Sequence, residues 1–375
     1  MSRASVKFNS QDRPEFFKEL RQRVNIYFKE KNVSRHANLN MKMKTVFMVT
    51  LYFTPYLLMI TGVVTGVWPV MAMWVLMGLG MCGIGLSIMH DANHGAYSKN
   101  KHVNNALGYL VNFLGAYHVN WKIQHNVLHH SFTNVDGHDE DIAKEGIMRF
   151  SPNQPRKDFF KFQIIYAPFL YGLMTIYWLV SKDFQQLARY QKNELLKGQG
   201  LSYKKCMAEV VFNKAWYIVL FLALPMFVVS IAWWQILIGF FVMQFICGLI
   251  LALIFQPAHV INETAFYVPD EHGSVENNWA VHQLMTTSNF ANNSKIFSWF
   301  IGGLNFQIEH HLFPNICHVH YRHISKIVKA TAEEYGVPYY HHSTFLKAVG
   351  SHFSLLHGLG TGSYDKKLEL AQVPA

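Results

Sequence analysis

The sequence has little charge and little cysteine. Only 15% of its residues are charged and 51% are hydrophobic, whereas soluble proteins carry roughly 25% charged residues. The four cysteines form no CxxC pair, which argues against a disulfide scaffold and against a cysteine-type zinc module. Residues 1–44 contain no apolar core of the kind that a cleavable signal peptide requires. Together these absences favour an integral membrane protein.

Two long stretches contain no Asp, Glu, Lys or Arg: residues 45–89 and residues 215–262. A helix needs about 20 residues to cross a hydrocarbon core of about 30 Å, so each stretch is long enough for two spans. Gly66-Val67-Trp68-Pro69 and Trp233-Trp234 are the predicted turns, because tryptophan suits the membrane interface. The pattern predicts an all-α integral membrane fold with two helical hairpins, whose spans cover residues 45–66, 69–89, 215–233 and 235–258.

The rest of the chain predicts polar segments around this membrane domain. Residues 1–44 form an N-terminal arm, either an interfacial helix or a loose tail, in which Phe16, Leu20 and Val24 are among the residues at helical spacing. We predict that residues 106–117 and 164–180 form membrane-surface or re-entrant helices. We therefore expect a membrane domain over residues 45–323, including a helical cytoplasmic cap after residue 263, and a C-terminal helical segment and tail over residues 324–375.

The formal net charge is +10, and the basic residues flank the apolar stretches. Anionic lipid headgroups or an acidic protein partner suit this arrangement better than nucleic acid does. Because the two hairpin turns lack Lys and Arg, the positive-inside rule predicts a multi-pass protein with both termini in the cytoplasm.

Residues 78–83, Gly-Leu-Gly-Met-Cys-Gly, match the dinucleotide-binding pattern GxGxxG. The match lies inside a predicted span with no preceding strand, so we expect close helix packing by small residues instead. Gly62 and Gly66 are predicted to serve the same packing.

Three histidine clusters lie beside apolar segments: His90-Asp91-Ala92-Asn93-His94, His125-Asn126-Val127-Leu128-His129-His130 and Gln307-Ile308-Glu309-His310-His311. Histidines four residues apart share one face of a helix and can bind one ion. A single pair of this kind is as often a surface or hydrogen-bonded interior pair, but three clusters favour a metal site, with all of them on the cytoplasmic side.

Further side chains extend this candidate site. His259 ends the last apolar stretch, where a polar group is usually functional, whereas His282 suits a ligand role and an interior role equally. Candidates to orient the ligand imidazoles are Asp91, Asn134, Glu309 and the acidic run Asp139-Glu140-Asp141, which suits a solvated loop at least as well. Because one ion binds four to six ligands, so many donors predict two ions, and imidazole suits zinc, copper, iron and nickel alike.

The motifs HDANH, HNVLHH and QIEHH resemble the three histidine boxes of the membrane fatty acid desaturases, over residues 45–323. Gln307, where many members have histidine, is similar to the third box of front-end desaturases, which act between an existing double bond and the carboxyl end. The resemblance implies a centre of two iron ions that uses O2 to introduce a cis double bond into an acyl-CoA, an acyl carrier protein conjugate or an acyl-lipid. It implies the metal ligands His90, His94, His125, His129, His130, His259, His310 and His311. It also implies that Gln307 is a weak or water-mediated ligand, and it offers no secure counterpart for His282.

Many eukaryotic front-end members carry a cytochrome b5 domain, but this sequence has no HPGG haem motif, so we expect a separate ferredoxin or cytochrome b5 as electron donor. One rival interpretation is a membrane hydroxylase or alkane monooxygenase with the same fold and metals; the third box favours desaturation. Another is a metal transporter, which would place its ligands near the bilayer midplane rather than at span ends.

Overall fold

The computed structural model describes residues 6–143 and 146–372. Its α-helices are Phe16–Glu30, Leu39–Ile60, Val67–Gly83, Met89–Asn93, Lys101–Gly108, His118–Lys122, His130–Phe132, Gln163–Gly172, Met174–Tyr177, Asp183–Lys192, Leu195–Gly198, Tyr203–Ile218, Leu224–Val228, Trp233–His259, Trp279–Met285, Lys295–Phe300, Gln307–Leu312, Tyr321–Glu334, Phe345–Thr361 and Ser363–Gln372. Four π-helical segments (Ile84–Ile88, Ile123–His129, Trp178–Lys182, Val219–Ala223) and three 3-10 segments (Tyr109–Leu114, Asp158–Phe162, His318–His320) continue them. Two short parallel strand pairs join Lys7–Phe8 to Ser274–Val275 and Ser288–Phe290 to Tyr340–His342.

These elements form two compact units. Unit 1 contains His36–Ile123 and Phe169–Ala252, and unit 2 contains the described parts of residues 4–35, Gln124–Pro168 and residues 253–375. The first histidine cluster therefore belongs to unit 1, and the second and third clusters belong to unit 2.

Within the described residues, four helices are long and apolar enough to cross a membrane: span 1 (Leu39–Ile60), span 2 (Val67–Asn93), span 3 (Tyr203–Val228) and span 4 (Trp233–His259). A bent pair, Asp158–Gly172 with Met174–Lys192, has the composition of a broken span or a re-entrant loop. The prediction of a largely helical fold with four membrane-spanning helices is therefore confirmed at the level of helix number, length and composition.

The span boundaries differ from the predicted ones for local reasons. Span 1 begins six residues earlier than predicted because the Asn38 side chain accepts a hydrogen bond from the amide of Met41 (3.1 Å) and caps the helix. Span 3 begins at Tyr203 rather than residue 215, so it includes Lys214. The buried Lys214 ammonium donates to the carbonyl of Gly115 (2.6 Å) and to Asp183, and these partners offset the cost of burying its charge.

The glycine-rich match in span 2 is a packing surface, as predicted. A Cβ on Gly80 would lie 2.6 Å from the backbone nitrogen of Tyr52 in span 1, and one on Gly78 would lie 2.9 Å from the carbonyl of Met243 in span 4. Only glycine permits backbones to approach so closely.

The same prediction is wrong for Gly62 and Gly66. Both adopt positive φ angles, 72° and 83°, and a Cβ on Gly62 would meet nothing within 4 Å. They form the turn after span 1, where glycine is needed for its backbone conformation and not for close packing.

The N-terminal arm contains a packed helix. Phe16, Leu20, Val24 and Phe28 are buried along one face of Phe16–Glu30, and this face packs against Tyr321–Glu334 within unit 2. The apolar stripe that suggested a membrane-surface helix is therefore covered by protein.

Candidate metal centre

The second histidine cluster lies on a π-helical turn. The segment Ile123–His129 leads directly into the short helix His130–Phe132. A π-turn contains one more residue than an α-turn, so it changes which side chains share a face, and such turns are frequent at functional sites. The ring centroid of His125 lies 5.5 Å from that of His129 and 4.7 Å from that of His130.

Three histidines from distant parts of unit 2 converge in its interior. The ring centroid of His259 lies 4.8 Å from that of His129 and 4.6 Å from that of His311, and His129 and His311 are 5.0 Å apart. Each of the three offers a ligand nitrogen within 4.8 Å of the others, and all three side chains are buried.

The hydrogen bonds at the outer edge of this group define the tautomers. Nδ1 of His259 lies 3.1 Å from the carbonyl of Thr286, and Nδ1 of His311 lies 2.8 Å from the amide oxygen of Gln283. Nδ1 of His129 lies 3.1 Å from Asp139 Oδ2. Because each partner is an acceptor, each Nδ1 carries the proton and each Nε2 presents a lone pair.

The carboxylates behind His129 also favour a cation. Burial alone would lower the pKa of His129, but Asp139 and Asp141 raise it to about 9. Asp139 in turn accepts hydrogen bonds from the backbone amides of Asn134 and Asp141, both at 2.9 Å, which hold it in place. The negative charge that stabilises a proton on this imidazole equally stabilises a metal ion bound to it.

A second group lies alongside in unit 2. Nε2 of His130 is 2.9 Å from Nε2 of His310 and 3.3 Å from Nε2 of His125, and His130, His310 and His311 also place one ligand atom each within 4.8 Å of the others. Nδ1 of His310 is 3.3 Å from the hydroxyl of Tyr321. His311 thus belongs to both groups, as expected where two ions lie close together.

The first cluster has the predicted local geometry within unit 1. A π-helical turn, Ile84–Ile88, precedes the helix Met89–Asn93, and the ring centroids of His90 and His94 are 4.9 Å apart. The indole of Trp121 packs edge-on against both rings, at 5.7 and 6.0 Å. Nδ1 of His90 lies 3.9 Å from a carboxylate oxygen of Asp91, which is too long for a hydrogen bond.

His282 and Gln307, the remaining ligand candidates, differ in their surroundings. Nε2 of His282 is hydrogen-bonded to the carbonyl of Thr133 (2.7 Å), and the ring packs against Phe8 and Tyr267. His282 belongs to none of the ligand groups among the described residues. Gln307 is buried and close enough to His259 to interact with it. Neither atom of its amide makes a hydrogen bond of normal geometry within the described chain.

Two of the residues expected to orient imidazoles act elsewhere. Asn134 donates to the carbonyls of His259 (2.8 Å) and Ala265 (3.1 Å), so it fixes the end of span 4. The carboxylate of Glu309 accepts from Asn289 (2.8 Å) and from the Tyr339 hydroxyl (2.9 Å), and its contacts among the described residues include no imidazole.

Sequence reasoning missed Gln283 and Thr286 as partners of the ligand imidazoles. They follow His282 by one and four residues on the helix Trp279–Met285 and the turn after it, and nothing in their residue types marks them. Asp139, by contrast, was visible as part of the acidic run after the second cluster.

The donor set fits a metal. Three buried imidazoles present Nε2 lone pairs to one another, and Nε2 of His259 has no hydrogen-bond partner among the described residues. Lone pairs facing each other in a buried site are unfavourable without a proton or a cation between them, and imidazole with flanking carboxylates suits a first-row transition metal.

Comparison with known proteins agrees with this chemistry. The fatty acid desaturase family model matches residues 66–343. The sn-1 linoleoyl-lipid 6-desaturase of Synechocystis sp. is 34% identical over 93% of this chain and 96% of its own length, and that of Arthrospira platensis is 33% identical over 94% and 95%. The acyl-lipid (8-3)-desaturase of Physcomitrium patens is 35% identical over 96% of this chain and 74% of its own length.

The match covers most of the chain and includes all three histidine clusters. It favours desaturation over the rival hydroxylase and transporter interpretations, and it supports a multi-pass membrane enzyme with a fatty acyl substrate. The chain is a member of the fatty acid desaturase family and an enzyme of that class.

Proposed function

We propose that this desaturase acts on an acyl chain esterified in a membrane lipid and inserts a cis double bond between an existing double bond and the carboxyl end. Two relatives that align along almost their whole length are named sn-1 linoleoyl-lipid 6-desaturases, and Gln307 at the start of the third cluster agrees with front-end chemistry. The observation that carries the oxidative step is the buried convergence of the His129, His259 and His311 lone pairs.

The proposed ligands of two iron ions are His90, His94, His125, His129, His130, His259, His310 and His311, with Gln307 as a weak or water-mediated ligand. His282 lies outside this set because neither of its ring nitrogens belongs to a ligand group among the described residues. Iron bound there would supply the O2 activation and the removal of two hydrogen atoms that unactivated methylene groups require. The residues of this chain hold the imidazoles in the correct tautomer through Asp139, Thr286 and Gln283.

The stoichiometry requires an external electron source. Reducing one O2 to two waters takes four electrons and four protons, and removing two hydrogen atoms from the acyl chain supplies two of each. The other two electrons must therefore come from a donor, for which we propose a separate ferredoxin or cytochrome b5. We place both termini and this centre on the cytoplasmic side, because the basic residues flank the spans on the side opposite the short turns.

Expression in a host that makes linoleoyl lipids but no chains with further unsaturation tests this proposal. Mass spectrometry should locate a new cis double bond on the carboxyl side of the existing ones in intact lipid, and the His311→Ala variant should form none. A hydroxylated product, or unsaturation only in the acyl-CoA pool, would contradict it.

A further inference from the structure

One surface of unit 2 combines unpaired positive charge with a direct contact to the proposed iron ligands. The helices Phe16–Glu30 and Tyr321–Glu334 pack antiparallel, since the ring of Phe16 contacts that of Tyr335 (5.5 Å) and the ring of Tyr27 contacts that of His323 (6.2 Å). The two ends of this helix pair differ in charge.

At the end near Phe16, which we call the neutral end, positive and negative side chains balance. Lys18 pairs with Glu15 (2.9 Å), and Arg23 pairs with both Glu19 and Glu334 (each 2.7 Å). Counting Arg21 and the Lys329–Glu333 pair (3.8 Å), this end has four basic and four acidic residues.

We call the other end the basic end. It contains one acidic residue, Glu30, and five basic residues: Lys29, Lys31, Arg35, Arg322 and Lys326. None of the five forms an ion pair with another residue of the described chain, and Lys29, Lys31 and Lys326 are exposed. The formal net charge of the basic end is therefore +4.

The basic end lies at the start of the helix whose first residue reaches the ligands. Tyr321 is 1% exposed, and its hydroxyl is 3.3 Å from Nδ1 of His310. The preceding residue, His320, packs against Phe28 (5.2 Å) beneath the same surface. Because electron transfer through protein weakens steeply with distance, a carrier bound here would approach the iron ligands through one buried side chain.

Resting on the proposed function, we infer that the basic end is the docking surface for a soluble one-electron carrier with an acidic face. Unpaired positive charge at a rim raises the association rate of a negatively charged partner and makes binding salt-dependent. The neutral end offers no such field, although it belongs to the same two helices.

A matched pair of triple variants of the full-length protein in nanodiscs tests this inference. The basic-end variant carries Lys29→Gln, Lys31→Gln and Lys326→Gln, and the neutral-end variant carries Lys18→Gln, Arg21→Gln and Lys329→Gln. Each removes three positive charges. The probe is a plant-type [2Fe–2S] ferredoxin, with the dissociation constant measured directly and turnover measured with reduced ferredoxin or with reduced methyl viologen.

The dissociation constant for ferredoxin and its KM should rise about tenfold in the basic-end variant and less than about twofold in the neutral-end variant, with both effects lost at high salt. Turnover with methyl viologen should be the same for both variants and the wild type. Product formed by the wild type with methyl viologen tests the proposed function separately, and ferredoxin binding does not depend on it.

Equal ferredoxin affinity in the two variants would overturn the inference. So would a loss confined to binding of phosphatidylglycerol vesicles, which would assign the basic end to lipid headgroups. Reduced turnover with methyl viologen in the basic-end variant alone would also overturn it, because the surface would then act on the reaction itself.

Discussion

Replacing Asp139 by asparagine tests whether the residues behind the imidazoles tune a metal site. The Asp139 carboxylate accepts a hydrogen bond from Nδ1 of His129, which lies 3.1 Å from Oδ2 and 3.2 Å from Oδ1. Its negative charge stabilises a cation bound to the opposite nitrogen of that ring. Losing such a partner typically costs 10- to 100-fold in metal affinity. Asp141, 3.4 Å from the same nitrogen, remains in the variant, so we expect the lower value, about tenfold or about 1.4 kcal/mol.

The assay is iron content after dialysis against graded chelator, with activity titrated by added Fe2+. The asparagine side chain keeps the shape of the aspartate but accepts fewer of the hydrogen bonds from the backbone amides of Asn134 and Asp141, so a thermal melt must show that the variant is folded. Asp158→Asn, at a side chain that is 97% exposed, is the control. A folded Asp139→Asn protein with unchanged iron affinity, or a loss equal to that of the control, would refute the reasoning.

Three further predictions follow from the structure. His259→Ala should abolish iron retention and product formation while exposed His102→Ala leaves both unchanged; iron retained in the first variant would contradict the ligand assignment. Gly80→Ala, which puts a Cβ 2.6 Å from the backbone of span 1, should lower the melting temperature more than Gly62→Ala, where only a positive φ of 72° is strained; the reverse order would refute the packing argument. Burial lowers the pKa of His352 to about 4, so the folded state binds fewer protons than the unfolded chain and stability should fall by up to about 3 kcal/mol as pH decreases from about 6.5 to 4; a pH melt that His352→Gln leaves unchanged would contradict this.

The membrane helices were predictable because charge is excluded from a bilayer with few exceptions. A charged residue inside a span is such an exception, and it caused the error in the predicted start of span 3. The charge of Lys214 suggested that the span begins at residue 215, although its ammonium pairs with Asp183 and donates to the carbonyl of Gly115. Partners that distant in sequence leave no local signal.

The histidines of the candidate centre were predictable from type and spacing, but their partners were not. The spacing of His125 and His129 points to one helix face, whereas Thr286 contributes only a backbone carbonyl, which any residue could supply. Glu309 is a side chain that the sequence suggested as a partner of an imidazole but whose carboxylate has other partners. It lies beside His310 in sequence, yet its carboxylate is directed to Asn289 and Tyr339.

The helix Phe16–Glu30 shows why an amphipathic pattern alone does not identify its surroundings. Its apolar stripe suits a lipid surface and a protein surface equally, and the helix that covers it, Tyr321–Glu334, lies about 300 residues away in the chain.

Anomalous X-ray diffraction at the iron edge, on crystals of the active enzyme, tests the central claim most directly. We expect two iron peaks, one of them at bonding distance from Nε2 of His129, His259 and His311. An active enzyme with no iron at those three nitrogens would contradict the account.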